Sequence, residues 1–142
     1  MPFRYRHDLL QADAAFEAEA ADLNSLFADC ARAMFGIMAD LDSVGGGLIR
    51  SLRLEDESLD MLLHRWLSDL IFLKDKESVL FSGFDVRIIM KESLYTLESE
   101  MKGEIIDPAR HSLGSDVKGV SFYRLSLKFE NDLWKAFVAC DL

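Results

Sequence analysis

Apolar residues along the chain change period twice. From Leu23 to Met38 they recur at steps of three and four (Leu23, Leu26, Phe27, Cys30, Ala31, Met34, Phe35, Met38). That spacing puts them on one broad face of a helix, and Asp22 stands where its first free N–H groups need an acceptor. A second stripe, Leu59, Leu62, Leu63, Trp66, Leu67, Leu70 and Ile71, predicts a helix starting near Ser58 and ending near Lys74-Asp75, with a cation in its last turn. Between them, after Asp40-Leu41-Asp42-Ser43-Val44 and three glycines, Leu48 to Leu54 reads as a strand.

Beyond the second helix the period falls to two. Phe84, Val86, Ile88 and Met90 share one strand face, and Tyr95, Leu97, Ser99 and Met101 share another. Val117 through Phe129 reads as a third long run and Leu133 through Cys140 as a fourth, joined across Glu130-Asn131-Asp132 as a hairpin. Residues 106–115 form the one long polar loop. Two amphipathic helices followed by a meander predict an α+β fold, a mainly antiparallel β-sheet with both helices packed on one face, in one domain over residues 1–142. There is no βαβ alternation or Gly-rich phosphate loop, which argues against a nucleotide-binding Rossmann or P-loop domain.

Composition narrows the function classes. Half of the 142 residues are hydrophobic, enough for a core. No run approaches the roughly 18 apolar residues of a membrane span, and the first eight residues lack the apolar centre of a signal sequence. A cytoplasmic protein without membrane contact is the expectation. The net charge of −9 repels phosphate backbones, so no direct nucleic-acid binding is expected; a basic protein partner or divalent cations suit it better. On charge alone, acidity that merely keeps the chain soluble is the simpler explanation.

Candidate chemistry is sparse. Cys30 and Cys140 lie in apolar segments and read as core residues. His7, His64 and His111 belong to no ligand motif: His64 reads as a packed histidine at the core edge, and His111, in the polar loop among Asp107, Arg110 and Asp116, as structural. Asp13, Asp141 and the Leu142 carboxylate offer oxygen ligands for a hard cation such as Ca²⁺, Mg²⁺ or Mn²⁺. Exposed acids with no task account for the same residues on spacing alone.

Several segments in order resemble the archease family over nearly the whole chain. They are Ala12-Asp13 with Phe16-Glu17-Ala18, Ala33 to Asp40, Trp66 to Phe72, Gly103-Glu104 with Asp107 to His111, Asp116 to Ser121, and the closing Cys140-Asp141-Leu142. The pattern differs at Leu9, Leu10, Gln11 and Ala15 around Asp13, and at Gly119, Ser121 and Tyr123. The resemblance implies a non-enzymatic, chaperone-like accessory protein of the RtcB-type tRNA-splicing ligase. Such a protein helps the ligase become guanylylated on a histidine with GTP and Mn²⁺ and allows multiple turnover. It further implies that Asp13, Asp141 and the Leu142 terminus are metal ligands, that Asp40 is an additional acid near them, and that Lys118 contributes to activation. Two other readings stay open: a modulator of another RNA-modifying enzyme such as a tRNA cytosine methyltransferase, and a small metal-dependent hydrolase using Asp13 and Asp141.

Overall fold

The computed structural model describes residues 2–6 and 13–142. In chain order the elements are β1 (Phe3–Tyr5), β2 (Ala14–Ala20), α1 (Leu23–Met38), β3 (Leu48–Asp56), α2 (Leu59–Glu77), β4 (Val79–Lys91), β5 (Leu94–Ile105), β6 (Gly119–Val120), β7 (Ser126–Glu130) and β8 (Leu133–Asp141), with a 3-10 turn at Leu41–Ser43. Among the described residues every strand pairing is antiparallel, so the α+β expectation holds. Among the described residues no helix is long and apolar enough to cross a membrane.

Both helices begin where the sequence places a cap. The Asp22 carboxylate accepts from Ser25 N at 2.8 Å, and the Ser58 hydroxyl accepts from Met61 N at 3.4 Å, each meeting an otherwise unpaired first-turn donor. Asp60 in the first turn of α2 and Lys74 and Lys76 in its last turn complement the helix dipole. The helix stops at Ser78, whose φ of 54° is left-handed. The predicted stripes become the core: Leu26, Phe27, Cys30, Ala31, Met34, Phe35, Leu62, Leu63, Trp66, Leu67 and Leu70 are all fully buried. Burial of each large side chain contributes about 1.5–3 kcal/mol. Trp66 Nε1 donates to Phe27 O at 3.0 Å, so the two helices share a buried hydrogen bond as well as apolar contact.

The strands divide into two sheets, which alternation alone does not reveal. One has the order β3-β5-β4; the other runs β1-β2-β8-β6, with β7 also pairing to β8. Both helices pack against both sheets. The β4–β5 ladder carries a register shift between Phe81 and Gly83, opposite Gly103. A Cβ on Gly103 would lie 2.0 Å from Leu80 O, so only glycine lets the backbones approach there.

The run Val117–Phe129 is not one strand. It forms the two-residue β6, a turn, and then β7. Leu125 N donates back to Phe122 O at 3.2 Å and Arg124 takes a left-handed φ of 60°, which interrupts the alternation. The expected hairpin is present: β7 and β8 are joined by Asn131 and Asp132, with φ of 55° and 63°, the two positive dihedrals that a type I′ turn requires.

Candidate metal and partner-activation site

Strand β8 carries the C-terminal residues to the sheet margin between β2 and β6. Ala14 pairs with Cys140, and Gly119 pairs with Asp141. This register brings three distant parts of the sequence together. Asp13 Oδ1 accepts from Leu142 N at 3.4 Å, and Asp141 O accepts from Lys118 N at 2.8 Å. Asp141 Oδ2 lies 3.4 Å from where a Cβ on Gly119 would sit. Asp13, Lys118, Asp141 and Leu142 are all exposed.

Cys140, just beneath this margin, is fully buried; burial raises its thiol pKa to about 12, and the charges of Asp141 and Asp13 add to that rise. Cys30 is raised too, first by burial and then by Asp29 and Cys140. Both cysteines are free and buried, as the sequence predicts.

Asp40 is held separately. Its Oδ1 accepts from Asp42 N at 3.1 Å, and its own N–H donates to Ser112 O at 2.8 Å. Among the described residues, no three His, Cys, Asp or Glu side chains gather into a ready-made metal site. The oxygen donors at the margin are two carboxylates and the Leu142 carboxyl group. That oxygen-only set is the chemistry a hard cation takes, leaving positions open for a further ligand. Leu9, Leu10 and Gln11, where the sequence departs from the family pattern before Asp13, lie outside the described residues, as does His7.

The loop beside Asp40 is braced by a network the sequence does not disclose. Glu104 accepts from Gly45 N at 2.6 Å, from the Arg110 guanidinium, and from His111 Nε2 at 2.7 Å. These bonds, the Gly45 N–H first and then His111 and Arg110, lower the Glu104 pKa to about 2. Because Asp107 N donates to His111 Nδ1 at 2.9 Å, the ring proton sits on Nε2. His111 is thus a buried structural residue, as predicted, though its partners are Glu104 and Asp107 rather than Asp116.

Asp116 instead meets Lys74 at 2.6 Å, a residue expected only as a last-turn cation. The signal for its burial was its position four residues after Leu70, on the apolar stripe of α2. His64 lies half-buried at the core edge, its Nε2 2.8 Å from Val120 O. A groove of 870 Å³ lies elsewhere, on the solvent face of the five-stranded sheet, lined by Arg4, Glu17, Arg124, Lys128, Lys135 and Phe137 among others. It includes none of Asp13, Asp40, Lys118, Asp141 or Leu142.

The sequence model of the Archease protein family (MTH1598/TM1083) matches residues 3–142. The archease of Methanothermobacter thermautotrophicus is 37% identical over 131 residues, 92% of this chain and 93% of that protein. The archease of Methanopyrus kandleri is 33% identical over 131 residues, covering 92% and 94%. Among solved structures, Methanobacterium thermoautotrophicum protein 1598 superposes with a TM-score of 0.88 at 35% identity, covering 99% of each chain. A Thermotoga maritima protein described as "an archease, possible chaperone" shares the fold at a TM-score of 0.61 and 16% identity, covering 94% of this chain and 93% of that one. The chain belongs to the archease family.

Proposed function

We propose that this protein is a cytoplasmic accessory factor that activates an RtcB-type RNA-splicing ligase, promoting its guanylylation and multiple turnover without catalysing ligation itself. The observation that carries this reading is the convergence of Asp13, Lys118, Asp141 and Leu142 on one exposed margin. Two acidic side chains, a carboxyl group and a lysine then share that margin. Asp13, Asp141 and Leu142 would hold a divalent ion (Ca²⁺, Mg²⁺ or Mn²⁺), with Asp40, on its separate loop, the weakest member of the set. A bound ion supplies Lewis acidity and open positions for a partner's carboxylate or a phosphate. Lys118 brings a compact positive charge to the same margin. The chaperone description of the Thermotoga maritima relative is in keeping with a protein client.

The test is ligation by a purified RtcB-type ligase with RNA in excess over enzyme. Addition of this protein should convert a single-turnover reaction into a multiple-turnover one. No stimulation, with a tRNA cytosine methyltransferase recovered as the sole stable partner, would replace the ligase by that enzyme. The isolated protein, with its charge of −9, should not shift tRNA at physiological salt. Tight, salt-sensitive RNA binding would contradict an accessory role exercised through protein contact.

A further inference from the structure

Lys118 directly precedes the shortest strand of the five-stranded sheet. Strand β6 is two residues long, and so short a pairing specifies register weakly. A slip of one residue would turn Lys118 inward and expose Val117, which is fully buried.

Two side chains of α2 grip the backbone on either side of Lys118 and Gly119. Lys74 is only 4% exposed. Its ammonium meets Asp116 Oδ1 at 2.6 Å, Val117 O at 3.0 Å and Asp75 Oδ1 at 2.7 Å, one acceptor for each of its three donors. Ten residues earlier, about 15 Å along the helix, His64 Nε2 donates to Val120 O at 2.8 Å. The His64 ring stacks on Phe122 at a centroid distance of 3.8 Å and an interplanar angle of 10°. Only Lys118 and Gly119 lie between the two gripped carbonyls. They are the residues whose backbones meet Asp141. An ammonium on the apolar stripe of Leu67, Leu70 and Ile71 is costly to desolvate, and a packed methionine would serve stability as well or better.

We propose that Lys74 and His64 are positioning residues, a two-point clamp from α2 that fixes the register of residues 117–120 against Asp141 and so holds Lys118 exposed at that margin. This rests on the proposed role of Lys118 in ligase activation.

The experiment compares Lys74→Met, Lys74→Arg, His64→Leu and Lys118→Ala in the full chain, with folding checked by circular dichroism. Amide exchange reads the clamp without any partner, through the Lys118 N–H (to Asp141 O) and the Ser121 N–H (to Ala139 O). In Lys74→Met both amides should exchange at least about tenfold faster while α1 amides are unchanged. Maximal stimulation of ligase guanylylation should fall at least about fivefold at an unchanged half-saturating concentration, and Lys74→Arg should restore both. His64→Leu, which keeps the buried lysine, carries the same expectations should Lys74→Met not fold. Unchanged exchange at Lys118 and Ser121 would overturn the clamp. Faster exchange with full stimulation would overturn the positioning role. Full stimulation by Lys118→Ala would instead remove the activation reading beneath it, and the positioning role with it, a failure distinguishable because the exchange data stand apart from the ligase.

Discussion

The three-stranded sheet with its helices and the C-terminal margin of the five-stranded sheet are built on opposite plans. In the first, β3, β5 and β4 pair over long continuous ladders, and Phe81, Leu97 and Met101 are fully buried beneath them. In the second, β6 contributes two residues, and a 3.4 Å hydrogen bond ties Asp13 to Leu142. The first region is stabilised by apolar area, whose contribution is large and insensitive to any partner. The second gathers like charges that repel one another unless a cation or a basic group lies among them. Folding and chemistry are therefore separable here, and mutations should divide the same way.

The largest effect should come from the packed region. Trp66→Ala removes a fully buried side chain and the donor to Phe27 O. It should lower stability by about 3–5 kcal/mol in urea titration. A loss below about 1 kcal/mol would mean that the core does not depend on this helix–helix contact.

Asp13→Ala and Asp141→Ala should do the reverse. Each alters an exposed residue, so stability should stay within about 0.5 kcal/mol, whereas affinity for Ca²⁺ or Mn²⁺ should drop at least about tenfold by calorimetry. Unchanged affinity in both variants would remove the metal site and leave the fold assignment untouched.

Between the two regions stands Glu104, whose pKa is held at about 2 against an ordinary 4.5, chiefly by the Gly45 N–H, then by His111 and Arg110. A carboxylate with a lowered folded pKa stabilises the fold fully above its unfolded value and loses that contribution as pH falls toward the folded one. The stability difference between the parent protein and Glu104→Gln should thus be constant above about pH 5 and shrink between pH 4.5 and about 2. A difference that does not change with pH across that window would show that the network acts by shape and not by charge.

The smallest effect, and the only gain, belongs to Ser99. Its hydroxyl is buried with no hydrogen-bond partner, on the core face of β5 between Leu97 and Met101. Ser99→Ala should raise stability by roughly 1 kcal/mol, because an orphaned buried hydroxyl is more costly than a methyl group. A loss of stability instead would mean that the hydroxyl has a partner, such as a buried water.

What could be read from the sequence follows the same division. The bounds of α1 were legible because Asp22 and an unbroken three–four spacing define them, and Asn131-Asp132 identified the hairpin by its turn chemistry. The split into two sheets was not legible, since alternation reports which face a residue takes and not which strand it pairs with. Val117–Phe129 read as one run although its backbone turns at Arg124. Lys74 read only as a last-turn cation because two of its acceptors, Asp116 and Val117, lie more than forty residues away. The Glu104 network was hidden for a similar reason, its Gly45 contact spanning 59 residues. Asp13 and Asp141 stood out in the sequence as possible oxygen ligands, with idle exposed acids the simpler reading until the family resemblance was weighed, and their proximity depends on the β2–β8 register, which composition does not encode.

The most direct test of the central claim is formation of the ligase–GMP adduct with GTP and Mn²⁺ in the presence of Lys118→Ala. Lys118 is exposed, so the variant should fold with a stability within about 0.5 kcal/mol of the parent. It should bind the ligase nearly as well and fail to accelerate guanylylation, because the missing ammonium acts on charge that develops in the complex. Full acceleration by Lys118→Ala would contradict the account and leave this residue an ordinary surface lysine.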